Sequence, residues 1–315
     1  MAKAKSIREL DCAADARDWA EKVLRVRIDE VVKLRDSALD FSDIEGVHDM
    51  RVATRRVRSA LRDFKPLADK SRLKKVSNEL KQLADALGQV RDQDVAIAAL
   101  DVLRLETLNE QIKPGIEKLS VERWAERETA RRHLTKVLAD GNVKKLRDRF
   151  KNALEKAFAQ KEAGQSISFN KAGRAAVASS LDDLLDLSTS IYQPFNKDGL
   201  HRLRVAAKRL RYAIELFVTC WGDAIAPFAD EIARMQSFLG EVHDCDVWIE
   251  NLGRRLTHEG ERDKADAAVR SAATWLLSEF SNKRNAEYLS ALALWTDWEK
   301  AEFVEKMRAI VSDST

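Results

Sequence analysis

The strongest constraint on this chain is that it repeats itself. Val47 to Pro66 (VHDMRVATRRVRSALRDFKP) aligns without gaps on Leu200 to Thr219 (LHRLRVAAKRLRYAIELFVT) at an offset of 153 residues, sharing His, Arg, Val, Ala, Arg, Arg, Ala and Phe. At an offset of 152, Leu87 to Leu100 (LGQVRDQDVAIAAL) matches Leu239 to Leu252 (LGEVHDCDVWIENL), with eight of fourteen positions identical. A weaker third echo at 151 pairs Trp124 with Trp275 and Arg132 with Lys283. Three echoes in one order imply a duplicated unit, because repeated segments fold as repeated packing units.

Only 11 Gly and 4 Pro in 315 residues leave few helix breakers, and no strand-like alternation is present. The expected fold class is all-α, with internally duplicated helical bundles related by a pseudo-twofold around a basic central cavity. Each half should hold about six helices joined by short loops. Breaks are expected near Phe41 to Gly46, Pro66 to Lys70, Lys113 to Gly115, Asp140 to Asn142, Gly164 to Asn170, Pro194 to Gly199, Gly222 to Pro227 and Thr257 to Gly260. The stretch Gly164 to Asn170 is the natural seam. It divides an N-terminal extension (1–15) and a first repeat (16–165) from a second repeat (166–315), the two repeats together making one domain.

The repeated helix carries the chemistry. His48, Arg51, Arg55, Arg58 and Arg62 follow at spacings of 3, 4, 3 and 4 and share one helical stripe; His201, Arg204, Lys208 and Arg211 form the second. Met50, Ala53, Val57, Leu61 and Phe64 lie opposite the first, and Leu203, Ala207, Leu210, Ile214 and Phe217 opposite the second. Like charges at i, i+4 destabilise a helix unless acids are interleaved, and the stripes are short of acids. With 55 Lys plus Arg against 52 Asp plus Glu the whole chain is near neutral at +3, so the concentration of cations is local and points to an anionic, repetitive partner. The plainer alternative is a basic surface face, or salt bridges to Asp92, Asp94, Asp244 and Asp246. Arginine favours phosphate, since its planar fork makes two parallel bonds to phosphate oxygens. A ladder about 21 Å long suits a linear polyanion better than a mononucleotide.

A histidine flanked by arginines is expected to be neutral, to donate to a phosphate oxygen or orient the adjacent arginine, or else to cap or pack. The second element, Leu-Gly-x-Val-Arg/His-Asp-x-Asp-Val, reads as following a helix that ends at Gly88 or Gly240, where glycine suits a helix end or close packing, with carboxylates capping the next helix. Arg91 could face the same anion, with His243 replacing it in the second half. His243, Asp244, Cys245 and Asp246 could be taken for a metal site, but Arg91 to Asp94 keeps neither His nor Cys, and no metal and no cofactor is expected. His48-Asp49 and His243-Asp244 resemble the His-Asp dipeptide of metal-dependent phosphohydrolases only superficially, since they fall in different repeat elements. The seven Trp are not interleaved with the stripes, as a base-stacking platform would require.

These paired signatures, each present twice, resemble the CHAD family, the conserved-histidine α-helical domain, from about Ala16 to about Val311. The resemblance implies two helical bundles facing each other across a basic cavity or pore, binding of inorganic polyphosphate, and location on polyphosphate granules with their other proteins. By position the family's histidine falls on His48 and His201. Its basic residues fall on Arg51, Arg55, Arg56 and Arg58, and on Arg204, Lys208, Arg209 and Arg211. Arg91 matches an Arg-Asp pair from which His243 departs, and Arg132, His243 and Lys283 are secondary candidates. Some members carry an N-terminal triphosphate-hydrolysing barrel, and nothing before His48 could be that barrel, so a stand-alone, non-enzymatic module is expected. Nucleic-acid binding is the alternative, and an enzyme of polyphosphate or nucleotide metabolism a weaker one, since no nucleophile, general base or metal cluster is repeated.

No secretory signal is read at the start, and the longest apolar runs, such as Val95 to Leu100, fall well short of the roughly 20 residues of a membrane span. Three cysteines at irregular spacings argue against a disulfide framework and for a reducing compartment, so a cytoplasmic location is expected.

Overall fold

A computed structural model describes residues 11–159, 166–258 and 267–312, with no description of the His258 side chain. Among these residues there are eleven α-helices and no strand beyond one isolated bridge, Asp15 with Ser168. In chain order they are α1 (Ala16–Lys33), α2 (Arg35–Leu39), α3 (Ile44–Asp63), α4 (Lys70–Glu106), α5 (Lys113–Val137), α6 (Asp140–Phe158), α7 (Phe169–Asp186), α8 (Lys197–Phe217), α9 (Ala226–His258), α10 (Ala267–Lys300) and α11 (Phe303–Ser312). No helix is long and apolar enough to cross a membrane.

The chain divides into two compact units. The first comprises Met1–Ala99 with Glu122–Gly173, and the second Leu100–Val121 with Arg174–Thr315. In the first unit α3 packs against α1 and α2. Its apolar stripe, Met50, Ala53, Val57, Leu61 and Phe64, is buried throughout, as the spacing requires. In the second unit α8 packs along α9, and α9 along α10. Leu203, Ala207, Leu210, Ile214 and Phe217 are wholly buried there. Each large apolar side chain so buried contributes about 1.5–3 kcal/mol, and this anchors the backs of both basic helices.

The start of each basic helix is fixed locally. The Asp43 carboxylate accepts from the Glu45 amide at 2.8 Å, and the Asn196 side-chain oxygen from the Gly199 amide at 2.9 Å. These caps satisfy donors that a helix leaves open at its first turn. Gly46 lies so close to α2 that a Cβ would stand 2.0 Å from the Ser37 carbonyl oxygen. Only glycine permits that approach.

One expectation needs correction. Gly88 and Gly240 do not end helices; α4 and α9 run unbroken through them, and Asp92, Asp94, Asp244 and Asp246 sit inside the helices rather than at caps. The apolar period carries on past the glycine, with Leu87, Val90, Ile97 and Leu100 all buried, and that burial outweighs the ~1 kcal/mol an interior glycine costs. The breaks expected near Lys113 to Gly115 and Asp140 to Asn142 are present, between α4 and α5 and between α5 and α6, with Pro114 tolerated in the first turn of α5. Cys245 is free and buried. The seam at Gly164 to Asn170 and the break at Thr257 to Gly260 lie partly outside the described residues.

Candidate anion-binding site

His48, Arg51, Arg55, Arg56 and Arg62 are half-buried on α3, and Arg58 is exposed. On α8, His201, Arg204, Lys208 and Arg211 are half-buried and Arg209 is exposed. Half-burial keeps the long stems packed while the charged ends reach outward. The glycines of the second repeated element serve this arrangement. A Cβ at Gly88 would stand 3.8 Å from Arg51 Nε, and one at Gly240 3.7 Å from Arg204 Nε, so the first arginine of each stripe lies across a glycine of the neighbouring helix.

The stripes are less bare of acids than their sequence suggests. Arg62 pairs with Asp63 at 2.6 Å, Arg211 with Glu215 at 2.7 Å, Arg209 with Asp183 at 3.8 Å and Arg51 with Asp92 at 4.0 Å. Among the described residues Arg58 has no acidic partner. Lys283 pairs with Glu241 at 2.7 Å, and Arg132 is exposed and donates to Thr129 at 3.1 Å.

Cations nevertheless act on each of the histidines. Burial is the largest influence holding His48 below its ordinary value, followed by the charge of Arg91; Arg55 adds to the shift, while Glu45 and Asp49 oppose it. His201 is held down by burial, then by Arg204 and Lys208. His243 on α9 is pushed down to about 4 by burial, Arg204, His201 and Lys208, against Asp246. The Nδ1 atoms of His201 and His243 stand 3.3 Å apart and the rings 4.4 Å centroid to centroid, so the departure from Arg91 places a second imidazole against the first. Neutral histidines follow as expected, with burial contributing more than the flanking cations.

Cys245 is buried in an apolar cluster with its thiol pushed up to about 11, chiefly by burial, and Asp246 is held by Arg284 at 2.6 Å. The run from His243 to Asp246 therefore does not gather around one point. Glu45, His48 and Asp49 do bring three possible ligand atoms within 4.8 Å of one another, with Glu45 exposed. Trp248 stacks on Phe280, and Trp295 and Trp298 are buried; Trp124 is exposed beneath the Arg127 guanidinium.

Arg127, Arg131 and Arg284, which position the site, carry no signal in the sequence. Asp94 on α4 is buried with Arg127 of α5. Arg131 donates to the Phe41 carbonyl at 2.7 Å with its guanidinium over the Phe41 ring, which ties α5 to the loop that leads into α3. Arg284 of α10 does both jobs in the second unit, holding Asp246 and donating to the Pro194 carbonyl at 2.7 Å just before α8. Lys65, Lys70, Lys74 and Lys81 were also missed, and they line a groove with Arg58 and Arg62.

Residues 22–253 match the CHAD domain family. The chain belongs to the CHAD family. Its fold agrees with the crystal structure of the CHAD domain from the plant Ricinus communis, with a TM-score of 0.70 and 22% identity over 90% of this chain and 93% of the other. The structure of PptA from Streptomyces chartreusis also gives 0.70, at 14% identity over 90% of this CHAD chain and 100% of the other. An uncharacterized protein of Mycobacterium tuberculosis is 26% identical over 238 residues, 71% of this chain and 43% of that protein. The CHAD chain thus spans less than half of that relative's length.

Proposed function

We propose that this CHAD domain binds inorganic polyphosphate through the basic faces of α3 and α8, holds it without turnover, and thereby resides on polyphosphate granules. The observation that carries the reading is electrostatic. In both units a half-buried histidine shares its surroundings with cations, Arg91 and Arg55 at His48 against Glu45 and Asp49, and Arg204 and Lys208 at His201 against Asp198. A phosphate chain would supply the missing negative charge, with guanidinium forks gripping successive phosphate oxygens. Family membership supports the same ligand class, since CHAD domains bind polyphosphate in general.

Nucleic acid is the second reading, because cationic helices also suit a phosphodiester backbone. A competition titration decides between them: long-chain polyphosphate against single- and double-stranded DNA of matched phosphate content, at two salt concentrations. Strong preference for polyphosphate supports the proposal; equal binding would make nucleic acid the leading partner. Phosphate release assayed with and without magnesium checks the absence of turnover.

A further inference from the structure

The ladder on α3 does not stop at Arg62. Beyond it lies a groove of about 500 Å³ in the first unit, lined by the cations Arg58, Arg62, Lys65, Lys70, Lys74 and Lys81. Leu61 and Leu73 also line it, and no carboxylate does. Lys70, Lys74 and Lys81 recur at four and seven residues along α4 and so share the helix face turned to α3. Lys65, Lys70, Lys74 and Lys81 are exposed, and none has an acidic partner within salt-bridge distance among the described residues. Gathering these like charges is unfavourable unless an anion is present to offset their repulsion.

The second half lacks this cluster. At the repeat offset of 153, Arg62 and Lys65 become Glu215 and Val218; at 152, Lys70, Lys74 and Lys81 become Gly222, Ala226 and Ala233. Where the first unit has Arg62 beside five more cations, the second has Glu215 paired with Arg211. A groove of similar volume beside α8 sets Asp183 and Asp186 against Arg202 and Arg209, with Arg209 already 3.8 Å from Asp183. The extension of the basic track is therefore peculiar to the first unit.

Resting on the polyphosphate reading, we infer that the groove between the end of α3 and the start of α4 is an additional phosphate subsite, which takes the part of a long chain that runs on beyond the His48 to Arg62 ladder. Binding is then one-sided and length-dependent. A short linear phosphate occupies the ladder alone, whereas a long chain gains the groove as well. The contacts are to exposed ammonium groups acting as point charges, so their contribution is sensitive to salt.

The test compares the unaltered protein with the triple variant Lys70→Ala, Lys74→Ala, Lys81→Ala, titrated with tripolyphosphate and with long-chain polyphosphate at two salt concentrations. A control variant, Lys171→Ala, Lys300→Ala, Lys306→Ala, removes the same charge from exposed positions outside the groove. The groove variant is expected to lose at least about tenfold in affinity for the long chain, and its salt slope should fall by about two for three lost phosphate contacts. Tripolyphosphate affinity should be unchanged, as should circular dichroism. Unchanged long-chain binding, an equal loss for both ligands, or an equal loss in the control overturns the subsite. Failure of the unaltered protein to bind either phosphate is a separate result, and it overturns the functional reading along with the subsite.

Discussion

His201 and His243 face each other through their Nδ1 atoms at 3.3 Å, with Arg204 and Lys208 beside both rings. Adding a proton to either ring sets a third positive charge against two others. His243 is accordingly pushed down to about 4 from 6.5, and His201 is lowered too. An unfolded chain takes up the proton near 6.5 and the folded chain near 4, so between these values the unfolded state holds more protons. Stability from His243 is complete above pH 6.5 and declines as acid is added, with roughly 2–3 kcal/mol lost by about pH 4. A bound polyanion acts in the opposite sense, because it favours the imidazolium. Polyphosphate affinity should rise through the same window with proton uptake, seen as a buffer-dependent heat of binding; His243→Gln should reduce both effects.

Arg284 supports the second unit at two points, through buried Asp246 and the Pro194 carbonyl. Arg284→Ala leaves that carboxylate buried without its partner, and such losses cost about 3–5 kcal/mol. Urea unfolding should show the unfolding free energy extrapolated to water falling by that amount. A loss under about 1 kcal/mol would mean that Asp246 finds another partner.

Gly88 and Gly240 each face an arginine stem at an ordinary contact distance for a Cβ, 3.8 and 3.7 Å. Alanine at either position should therefore fit, stabilise the helix by about 0.5–1 kcal/mol, and leave polyanion binding unaltered. Leucine at Gly88 should instead displace Arg51 and weaken binding severalfold. Thermal melts together with titrations separate the two outcomes.

Arg55 and Lys208 occupy matching parts of the two basic helices and depress the neighbouring histidines. The double variant Arg55→Glu, Lys208→Glu should abolish polyphosphate binding at moderate salt while preserving the helical circular dichroism spectrum. Unchanged affinity would place the site elsewhere.

The helices, the apolar backs of α3 and α8 and the basic stripes opposite them were legible because each depends on residues three or four apart. The glycines misled because helix-ending propensity is a local signal, and here the packing of Leu87, Val90, Leu239 and Val242 overrides it. The pairs Asp94 with Arg127 and Asp246 with Arg284 join positions 33 and 38 residues apart, and no periodicity within one helix reveals them. Lys70, Lys74 and Lys81 look like any solvated helix face among 55 basic residues. Packing of α4 beside Arg58 and Arg62 is what makes them a cluster.

The carboxylate-free groove also governs how the molecule behaves on a column. A chain with a pI near 8.6 should pass through a cation exchanger once the buffer approaches that pH. A matrix bearing closely spaced phosphate or sulfate groups meets the local surface, not the average, and six cations grouped in one groove offer it several contacts at once. Retention should therefore persist where net charge vanishes, and elution should follow ionic strength more closely than pH.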